Sequence, residues 1–334
     1  MKKKRYTGIV IGCGRIGATF DIDSGLLKPA SHAAAFATNP RTTLAALVDS
    51  DPIQLKRAGE YYNVTTYADA RECLKALMPD IVALATPPGT HEEMLTLALE
   101  LHIPAIICEK PLSDTLESGE RMVAQAALSD SVVVLNHQRR FLPLYKNAKE
   151  RIAAGELGDI QQATAYYTNG LLNNATHTLD ALQFLLDDTA VWTIGVQNEH
   201  NTAAPFGTNI DGLVGYKKGT VAVLQSFDTN SYGVHDLQIL GTNGALIIRQ
   251  QGFRFEWVPV REGVTFSGVK ELDWMSAQTQ TDPRSMMEGT IAHAVECLDG
   301  TVESQSTPED GYRTMQILDA LVRSAAEGGK RVII

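Results

Sequence analysis

The stretch Ile9-Val10-Ile11-Gly12-Cys13-Gly14-Arg15-Ile16-Gly17 decides the fold. Its first residues are apolar and β-branched, which predicts a parallel strand that is buried on both faces. The strand runs directly into G-x-G-x-x-G, a pattern typical of dinucleotide binding. Gly12 would allow the tight turn, Gly14 would let a pyrophosphate approach the backbone, and Gly17 would let the next helix pack closely. The alternative is a glycine turn with a structural role only.

Two later strands support the dinucleotide interpretation. The apolar run 44–48 ends at Asp49, where an acidic residue would bind the ribose hydroxyls of adenosine. The apolar run 81–85 ends at Thr86 and Pro87. No lysine or arginine follows Asp49 in the next two positions, and a carboxylate there would repel a 2′-phosphate. We therefore expect the cofactor to be NAD, preferred over NADP.

The composition is typical of a globular protein with two domains. The 334 residues exceed one typical core, and 44% of them are hydrophobic and 20% charged. The net charge of −10 argues against nucleic acid as a partner. No stretch reaches the roughly 18 apolar residues of a membrane span, so we expect no membrane partner. The four cysteines lack metal or disulfide spacing, which predicts no metal site and reduced thiols in a cytoplasmic protein.

The order of the predicted elements indicates an α/β fold with two domains. Apolar strands alternate with helices through residues 1–136, which predicts an N-terminal Rossmann domain with a doubly wound parallel sheet. The pattern then changes, and Asn243-Gly244 lies between two apolar runs as in a hairpin. Residues 137–334 are therefore expected to form a C-terminal α+β domain with a mostly antiparallel open sheet.

The segment between Gly17 and the second strand is longer than in the simplest dinucleotide-binding unit. Its first helix should be brief, and Ser31 is predicted to cap a second helix. Residues 21–30 would leave the cofactor end of the sheet. They are either a cover over the cofactor site or a plain surface loop.

Nearly the whole chain resembles the glucose–fructose oxidoreductase and inositol dehydrogenase family (Gfo/Idh/MocA). Beside the glycine turn, the resemblance rests on short motifs along the chain: Ala85-Thr86-Pro87 with His91, Glu109-Lys110-Pro111, Arg139-Arg140-Phe141, Gly155-Glu156-Leu157-Gly158, His177-Thr178-Leu179-Asp180, Glu309-Asp310-Gly311 and Ser324-Ala325-Ala326-Glu327-Gly328. The Glu-Lys-Pro motif joined to His-x-x-Asp is far more specific than the glycines. The resemblance implies an NAD(P)-dependent dehydrogenase acting on a hydroxyl of a sugar, a cyclitol or a sugar derivative, including nucleotide-linked sugars.

The resemblance assigns proton transfer to Lys110 and His177. Oxidation of an alcohol removes a hydride and a proton, so a base must take the proton and a cation stabilises the developing alkoxide. A lysine does both when burial or a neighbouring cation lowers its pKa toward neutrality. The alternatives are a surface lysine at a strand end and a histidine that only caps a helix. Asp180 is expected to orient or cap rather than to react.

The same motifs supply the predicted binding residues. The cofactor set is Gly12, Gly14, Arg15, Ile16, Asp49, Thr86, Pro87, His91 and Glu109, and the substrate set is Asn173, Arg139 and Tyr167. Many relatives carry an aspartate four residues before the histidine, where this chain has Asn173, and an asparagine binds a hydroxyl but cannot take its proton. The alternatives are an Arg139 that faces solvent or forms a salt bridge, and a Tyr167 that belongs to an aromatic sheet face.

Other functions and the assembly stay open at this point. Some relatives reduce a different unsaturated bond, and a regulator could keep the fold as a nucleotide sensor without catalysis. The presence of both Lys110 and His177 argues against the regulator. Relatives pair through the open face of the second sheet, which implies a homodimer or homotetramer built through residues 221–227 and 237–240. The expected partners are thus a small sugar-like substrate and further copies of the chain.

Overall fold

The structure, a computed structural model, describes residues 4–23, 25, 27–198, 208–282 and 285–334. The chain divides into two compact units, one of residues 1–141 and 284–312 and the other of residues 142–283 and 313–334. Among the described residues, no helix combines the length and the apolar composition that crossing a membrane requires.

The described residues form ten helices and sixteen strands. The helices are α1 (Phe20–Asp23), α2 (His32–Thr38), α3 (Pro52–Tyr62), α4 (Ala70–Leu77), α5 (His91–Glu100), α6 (Leu116–Ala127), α7 (Pro143–Ala153), α8 (Thr176–Leu186), α9 (Met286–Leu298) and α10 (Pro308–Ala326). The strands are β1 (Tyr6–Ile11), β2 (Thr42–Val48), β3 (Thr65–Tyr67), β4 (Ile81–Leu84), β5 (Ala105–Cys108), β6 (Val132–Leu135), β7 (Ile160–Tyr167), β8 (Ala190–Gln197), β9 (Ile210–Tyr216), β10 (Val221–Ser226), β11 (His235–Gly241), β12 (Gly244–Arg249), β13 (Arg254–Glu262), β14 (Lys270–Leu272), β15 (Gln278–Thr281) and β16 (Val332–Ile333).

The first unit is built on a six-stranded parallel sheet. Its strands lie in the order β3-β2-β1-β4-β5-β6. The chain order reverses between β1 and β4, and doubly wound folds bind ligands at the carboxyl edge of such a switch point. The central strands β1, β4 and β5 are buried on both faces, as their continuous apolar runs require. The predicted Rossmann sheet is confirmed.

Polar caps start the helices that flank this sheet. The side chain of Ser31 accepts from the backbone N–H of Ala34 and begins α2, as predicted. Asp51 and Asp69 cap α3 and α4 in the same way. For α6 the capping residue is Thr115 rather than its neighbour Asp114, because the side chain of Thr115 accepts from the N–H three residues on.

The long connection between β1 and β2 is held by a buried carboxylate. After the glycines, a π-helical turn (Arg15–Thr19) leads into the brief α1. The carboxylate of Asp21 is 3% exposed and accepts from the N–H of Ala30 at 3.0 Å and from the hydroxyl of Ser31 at 2.5 Å. Residues 24 and 26 lie outside the described residues, so a covering role for residues 21–30 stays a prediction.

The second unit is built on a ten-stranded sheet. Its order is β14-β13-β12-β11-β7-β10-β9-β8-β16, with β15 paired to β13. The pairs are antiparallel except β7 with β10, which run parallel. The predicted hairpin at Asn243-Gly244 joins β11 to β12. The mostly antiparallel sheet is thus confirmed.

The boundary between the compact units differs from a single cut after residue 136. The first unit continues to residue 141 and also takes up residues 284–312. The reason lies in α9, whose side chains Met287, Ile291, Ala294 and Val295 join the core that contains Val10 of β1. Such packing between distant stretches of chain has no local sequence pattern.

Candidate active site

The glycine turn opens onto a cleft of about 1150 Å³ in the first unit. Its walls include Gly12 and Gly14 after β1, Asp49 after β2, and Thr86 and Pro87 after β4. These three strands are neighbours in the sheet, so their carboxyl ends lie side by side. The structure therefore brings these predicted cofactor residues together at the place where doubly wound folds bind dinucleotides.

The glycines fit the dinucleotide interpretation position by position. Gly12 has φ +99°, and a Cβ added there would lie 2.5 Å from the carbonyl oxygen of Ala85. A Cβ on Gly17 would lie 1.9 Å from the carbonyl oxygen of Gly12, so only glycine allows this close packing. A Cβ on Gly14 would meet nothing within 4 Å. The backbone at Gly14 thus borders the open space that a pyrophosphate needs.

The carboxylate of Asp49 ties the end of β2 to the glycine turn. Its Oδ2 accepts from the N–H of Cys13 at 2.6 Å, and its Oδ1 accepts from the N–H of Asp51 at 2.8 Å. The carboxylate also lines the cleft together with Asp51 and Asp69. The guanidinium of Arg71, which shares this lining, donates to Glu100 at 3.3 Å. This end of the cleft is therefore acidic.

Arg15 and Ile16 lie in the turn just after Gly14. The guanidinium of Arg15 lies 4.5 Å from the ring centroid of Phe20, and Ile16 is half-buried against the core of the first unit. Their contact with a cofactor stays a prediction.

Glu109 is an internal carboxylate, 5% exposed, at the end of β5. Its Oε1 contacts Nε2 of His32 at 2.7 Å and accepts from the side-chain amide of Asn136, while its Oε2 accepts from the N–H of Lys110 at 3.2 Å. Asn136 in turn accepts from the hydroxyl of Thr290 at 2.7 Å. Burial alone would raise the pKa of Glu109, but His32, Asn136 and Lys110 outweigh it and hold the pKa below its usual range.

This network changes the role expected for Glu109 and was not predicted from the sequence. The carboxylate is enclosed by side chains and acts on the pKa of Lys110, while its contact with the cofactor stays a prediction. Asn136 follows β6 directly, and its place as a polar residue at the end of the strand next to β5 is a signal that could have identified it. His32 and Thr290 lie in helices with apolar neighbours, and nothing in their local sequence indicates a partner.

Lys110 is half-buried two residues beyond β5 and carries a perturbed pKa. Burial lowers the pKa of Lys110 because it disfavours the charged amine. The carboxylate of Glu109 opposes this shift, and the guanidinium of Arg139 adds to it. The lowered pKa favours the neutral amine, the form that can take a proton from a hydroxyl.

The two arginines after β6 have different surroundings. Arg140 is 6% exposed and donates to the carbonyl of Gln305 at 2.9 Å, and its guanidinium lies 3.1 Å from the carboxylate of Asp310. Arg140 thus forms an ion pair with Asp310 inside the first unit, and this pair has a structural role. Arg139 is 7% exposed and acts electrostatically on Lys110.

His91 is fully buried at the start of α5. Its Nε2 lies 2.8 Å from the carbonyl oxygen of Thr86, and its Nδ1 lies 3.2 Å from that of Pro111 and 3.1 Å from that of Leu112. Both ring nitrogens are occupied by backbone. The ring therefore supports the loops after β4 and Lys110, and its predicted contact with the cofactor stays a prediction.

In the second unit, Asn173 and His177 lie one helical turn apart. Asn173 is in the π-helical turn Leu171–Ala175, and His177 is the second residue of α8, which continues that turn. Residues four apart lie on one side of a helix, and both side chains are half-buried. The prediction that these two residues act together is compatible with this placement.

Tyr167 is fully buried at the end of β7. Its hydroxyl donates to the carbonyl of Ile210 at 2.8 Å and accepts from the N–H of the same residue at 2.9 Å. The hydroxyl thus joins β7 to β9, and the substrate contact of Tyr167 stays a prediction. Tyr166, which points to the other face, stacks edge-on against Phe227 with the ring centroids 5.8 Å apart.

Among the described residues, no group of three or more histidine, cysteine, aspartate or glutamate side chains is placed to hold a metal ion. All four cysteines belong to the described part of the chain, are buried and form no disulfide bond.

Comparison with known proteins places this site in a family. Two models match: "Oxidoreductase family, NAD-binding Rossmann fold" over residues 8–137, and "Oxidoreductase family, C-terminal alpha/beta domain" over residues 168–333. The chain is 26% identical to D-glucoside 3-dehydrogenase of Escherichia coli (strain K12), over 93% of this chain and 95% of that protein. It is 23% identical to inositol 2-dehydrogenase of Rubrobacter xylanophilus, over 88% of this chain and 86% of that protein.

The fold is similar to that of solved oxidoreductases. Levoglucosan dehydrogenase in complex with NADH and L-sorbose aligns with a TM-score of 0.83 at 17% identity, over 99% of each chain. Together the two family models cover most of the chain. The chain belongs to the Gfo/Idh/MocA family of oxidoreductases.

Proposed function

We propose that the chain is an NAD-dependent dehydrogenase that transfers a hydride between the nicotinamide ring and a hydroxyl-bearing carbon of a sugar, a cyclitol or a sugar derivative. The observation that carries the proposal is the position of Lys110. Lys110 follows β5, and β5 pairs with β4. The residues after β4 line the cleft. The pKa of Lys110 is lowered. The names of the relatives, a glucoside dehydrogenase and an inositol dehydrogenase, support this substrate class.

The cofactor is proposed to be NAD rather than NADP. The dinucleotide would lie on Gly12 and Gly14, with its adenosine ribose at Asp49 and its nicotinamide near Thr86 and Pro87. The acidic lining at Asp49, Asp51 and Asp69 would repel a 2′-phosphate. When bound, NAD supplies the hydride acceptor for alcohol oxidation.

The chain supplies the proton chemistry. The neutral amine of Lys110 is proposed to take the hydroxyl proton, and the resulting ammonium stabilises the oxygen as charge develops. His177 is proposed as a second proton-handling group, and Asn173 as a residue that orients a hydroxyl. Arg139 helps to keep the pKa of Lys110 low and is proposed to contact the substrate as well. The first domain would thus hold the cofactor, and the second would contact the substrate and pair with further copies of the chain in the cytoplasm.

The proposal is tested by binding and turnover on the same preparation. NADH and NADPH are titrated directly by fluorescence, and a panel of sugars and cyclitols is assayed for NAD reduction. We expect tighter binding of NADH and turnover with at least one polyol. Lys110→Met should lower hydride transfer by about 10³ or more while NADH binding stays near that of the parent.

A matched control is Lys56→Met. Lys56 lies on α3 with a side chain that is 77% exposed, and it makes only a long ion pair of 3.9 Å with Glu60. This variant should keep full turnover. Tighter binding of NADPH would overturn the cofactor assignment, and turnover of Lys110→Met within about tenfold of the parent would overturn the assignment of the base.

A further inference from the structure

The ring of His91 joins two loops at the carboxyl edge of the first sheet. On one side, Nε2 contacts the carbonyl oxygen of Thr86, which follows β4 and lines the cleft. On the other side, Nδ1 contacts the carbonyl oxygens of Pro111 and Leu112, which follow Lys110. The ring therefore bridges the proposed nicotinamide side of the cleft and the backbone that carries the proposed base.

The nature of these partners decides the protonation state of the ring. A carbonyl oxygen only accepts hydrogen bonds, so a ring nitrogen that bonds to it must carry a proton. A neutral imidazole has one N–H and one lone pair, and the lone pair would face a carbonyl oxygen at hydrogen-bond distance. The ring is fully buried, so this repulsion would not be screened by water. Toward these three carbonyls the imidazolium donates on both sides, whereas the neutral ring donates on one side only.

We infer that His91 is a doubly protonated imidazolium in the folded protein and acts as a positioning residue. It donates to Thr86 on one side and to Pro111 and Leu112 on the other, and so fixes the cleft edge relative to Lys110. The role is independent of any contact with cofactor or substrate. Its consequence for cofactor binding rests on the proposed function.

Opposing forces act on this charge. Burial alone would lower the pKa of His91, but the Cys108 side chain of β5 and the carbonyls of Thr86 and Leu112 outweigh burial and raise the pKa to about 9. The positive end of the α5 dipole also opposes the charge. Glu92 and Glu93 lie in the same first turn and favour it, although Glu92 is bonded to Arg121 at 2.6 Å.

Because the pKa of His91 is raised, the stabilisation that its protonated ring gives to the fold depends on pH. An unfolded histidine loses its proton near pH 6.5, whereas the folded ring keeps it to about pH 9. The stabilisation is therefore fully present below pH 6.5, declines as the pH rises and is lost above about pH 9. Over this window the folding equilibrium should weaken by up to roughly two orders of magnitude through this group.

The direct test is the protonation state of the ring in the ¹⁵N-labelled apo protein. Nuclear magnetic resonance of the ring nitrogens, assigned through the backbone amide of His91, needs no variant and no cofactor. We expect two protonated nitrogens at pH 7.5 and loss of a proton near pH 9. Exposed His102 serves as the internal reference for a solvent-accessible ring. A neutral His91 ring at pH 7.5 would overturn the inference.

A second measurement tests the positioning role. His91→Gln keeps one donor and cannot donate on both sides, so NADH affinity should fall by about tenfold, the loss expected for a charge-assisted hydrogen bond. The parent should lose NADH affinity between pH 8 and pH 10, whereas the affinity of the variant should stay flat. His102→Asn is the control and should behave as the parent does.

The outcomes separate the two proposals. If NADH does not bind at all, the proposed function fails while the protonation of His91 can still be read. If NADH binds and His91→Gln shows the same affinity and pH profile as the parent, the positioning role is wrong. If the glutamine variant does not fold, two measurements on the parent are compared: the pH at which NADH affinity falls and the pH at which the His91 ring loses its proton. If these two pH values differ, the positioning role is wrong.

Discussion

At the residue scale, the chemistry of the site is set by what surrounds Lys110. In the sequence, Lys110 is singled out as the proposed base by the tripeptide Glu109-Lys110-Pro111. Such a motif directly after a strand can be recognised from neighbouring residues alone. The sequence did not predict the carboxylate network behind it, since Glu109 meets His32 and Asn136 only after folding. The same limit explains Tyr167 and His91, whose polar atoms bind backbone far away along the chain. Residue identity is readable from sequence, whereas the partner of a buried polar atom is not.

The charges beside Lys110 predict opposite shifts in the pH dependence of oxidation. Activity requires the neutral amine, so the pH at which it rises follows the pKa of Lys110. Glu109→Gln removes a carboxylate that raises this pKa, and the rise should move to lower pH. Arg139→Gln removes a cation that lowers it, and the rise should move to higher pH. Each shift should be about one pH unit or more, measured as kcat/KM against pH.

The pair of variants controls for general damage. A fold that is merely loosened would shift both profiles in the same direction or lower both without a shift. Thermal unfolding at pH 7 shows whether each variant is folded before its profile is measured. Shifts in the same direction would show that Lys110 is not the group that controls the profile.

At the element scale, local pattern predicted the first sheet well and the second less completely. Apolar runs between capped helices define β1 to β6, and Asp51 and Asp69 cap where their sequence position indicates. The strands β8, β9, β13, β14 and β15 were not singled out, because their residues alternate weakly between apolar and polar. The parallel pairing of β7 with β10 likewise depends on a long connection.

Two glycines in the turn after β1 should respond differently to substitution: Gly17→Ala should affect both stability and NADH binding, and Gly14→Ala should affect NADH binding alone. Gly17→Ala places a Cβ against the carbonyl oxygen of Gly12, so the turn or the helix must shift. We expect a loss of stability on the order of 1–3 kcal/mol, as for other overpacked sites, together with weaker NADH binding. Gly14→Ala places its Cβ in the open cleft at φ −63°, which alanine adopts easily. It should weaken NADH binding and leave stability nearly unchanged.

Two measurements on the same samples decide this prediction. Denaturant unfolding in the absence of cofactor gives stability, and a fluorescence titration gives NADH affinity. An apo stability of Gly14→Ala as low as that of Gly17→Ala would contradict the structural assignment of the two glycines. Unchanged NADH affinity in Gly14→Ala would place the pyrophosphate elsewhere.

At the scale of the whole molecule, the chain returns to its first unit after completing most of the second. Residues 284–312 carry α9 back to the core of β1, and Phe141 stacks on His293 of that helix with centroids 4.7 Å apart. From the sequence, the domain boundary was placed after residue 136, because the alternation of apolar strands and helices ends there. It missed the return because α9 is an ordinary apolar helix in sequence, and only its packing partners show to which core it belongs.

The second sheet predicts how copies of the chain associate. Its inner-face residues, such as Ala163, Leu237 and Ile239, are buried, whereas Val223 and the residues opposite it, Leu213 and Thr164, are only half-buried. A sheet face that leaves apolar side chains such as Val223 and Leu213 half-exposed is suited to being covered by a partner. We expect light scattering at micromolar concentration to give two or four times the 36.3 kDa of one chain.

The central position of Val223 on this face makes it the place to test the association. Val223→Glu would bury a carboxylate in a paired face, which is costly because the charge would lose its water. On a solvated face the same change costs little. The variant should therefore have the mass of a single chain and keep its secondary structure, while Lys56→Met should keep the mass of the parent. A parent that is monomeric at micromolar concentration would show that this face pairs with nothing, and a Val223→Glu protein that keeps the mass of the oligomer would place the interface on another surface.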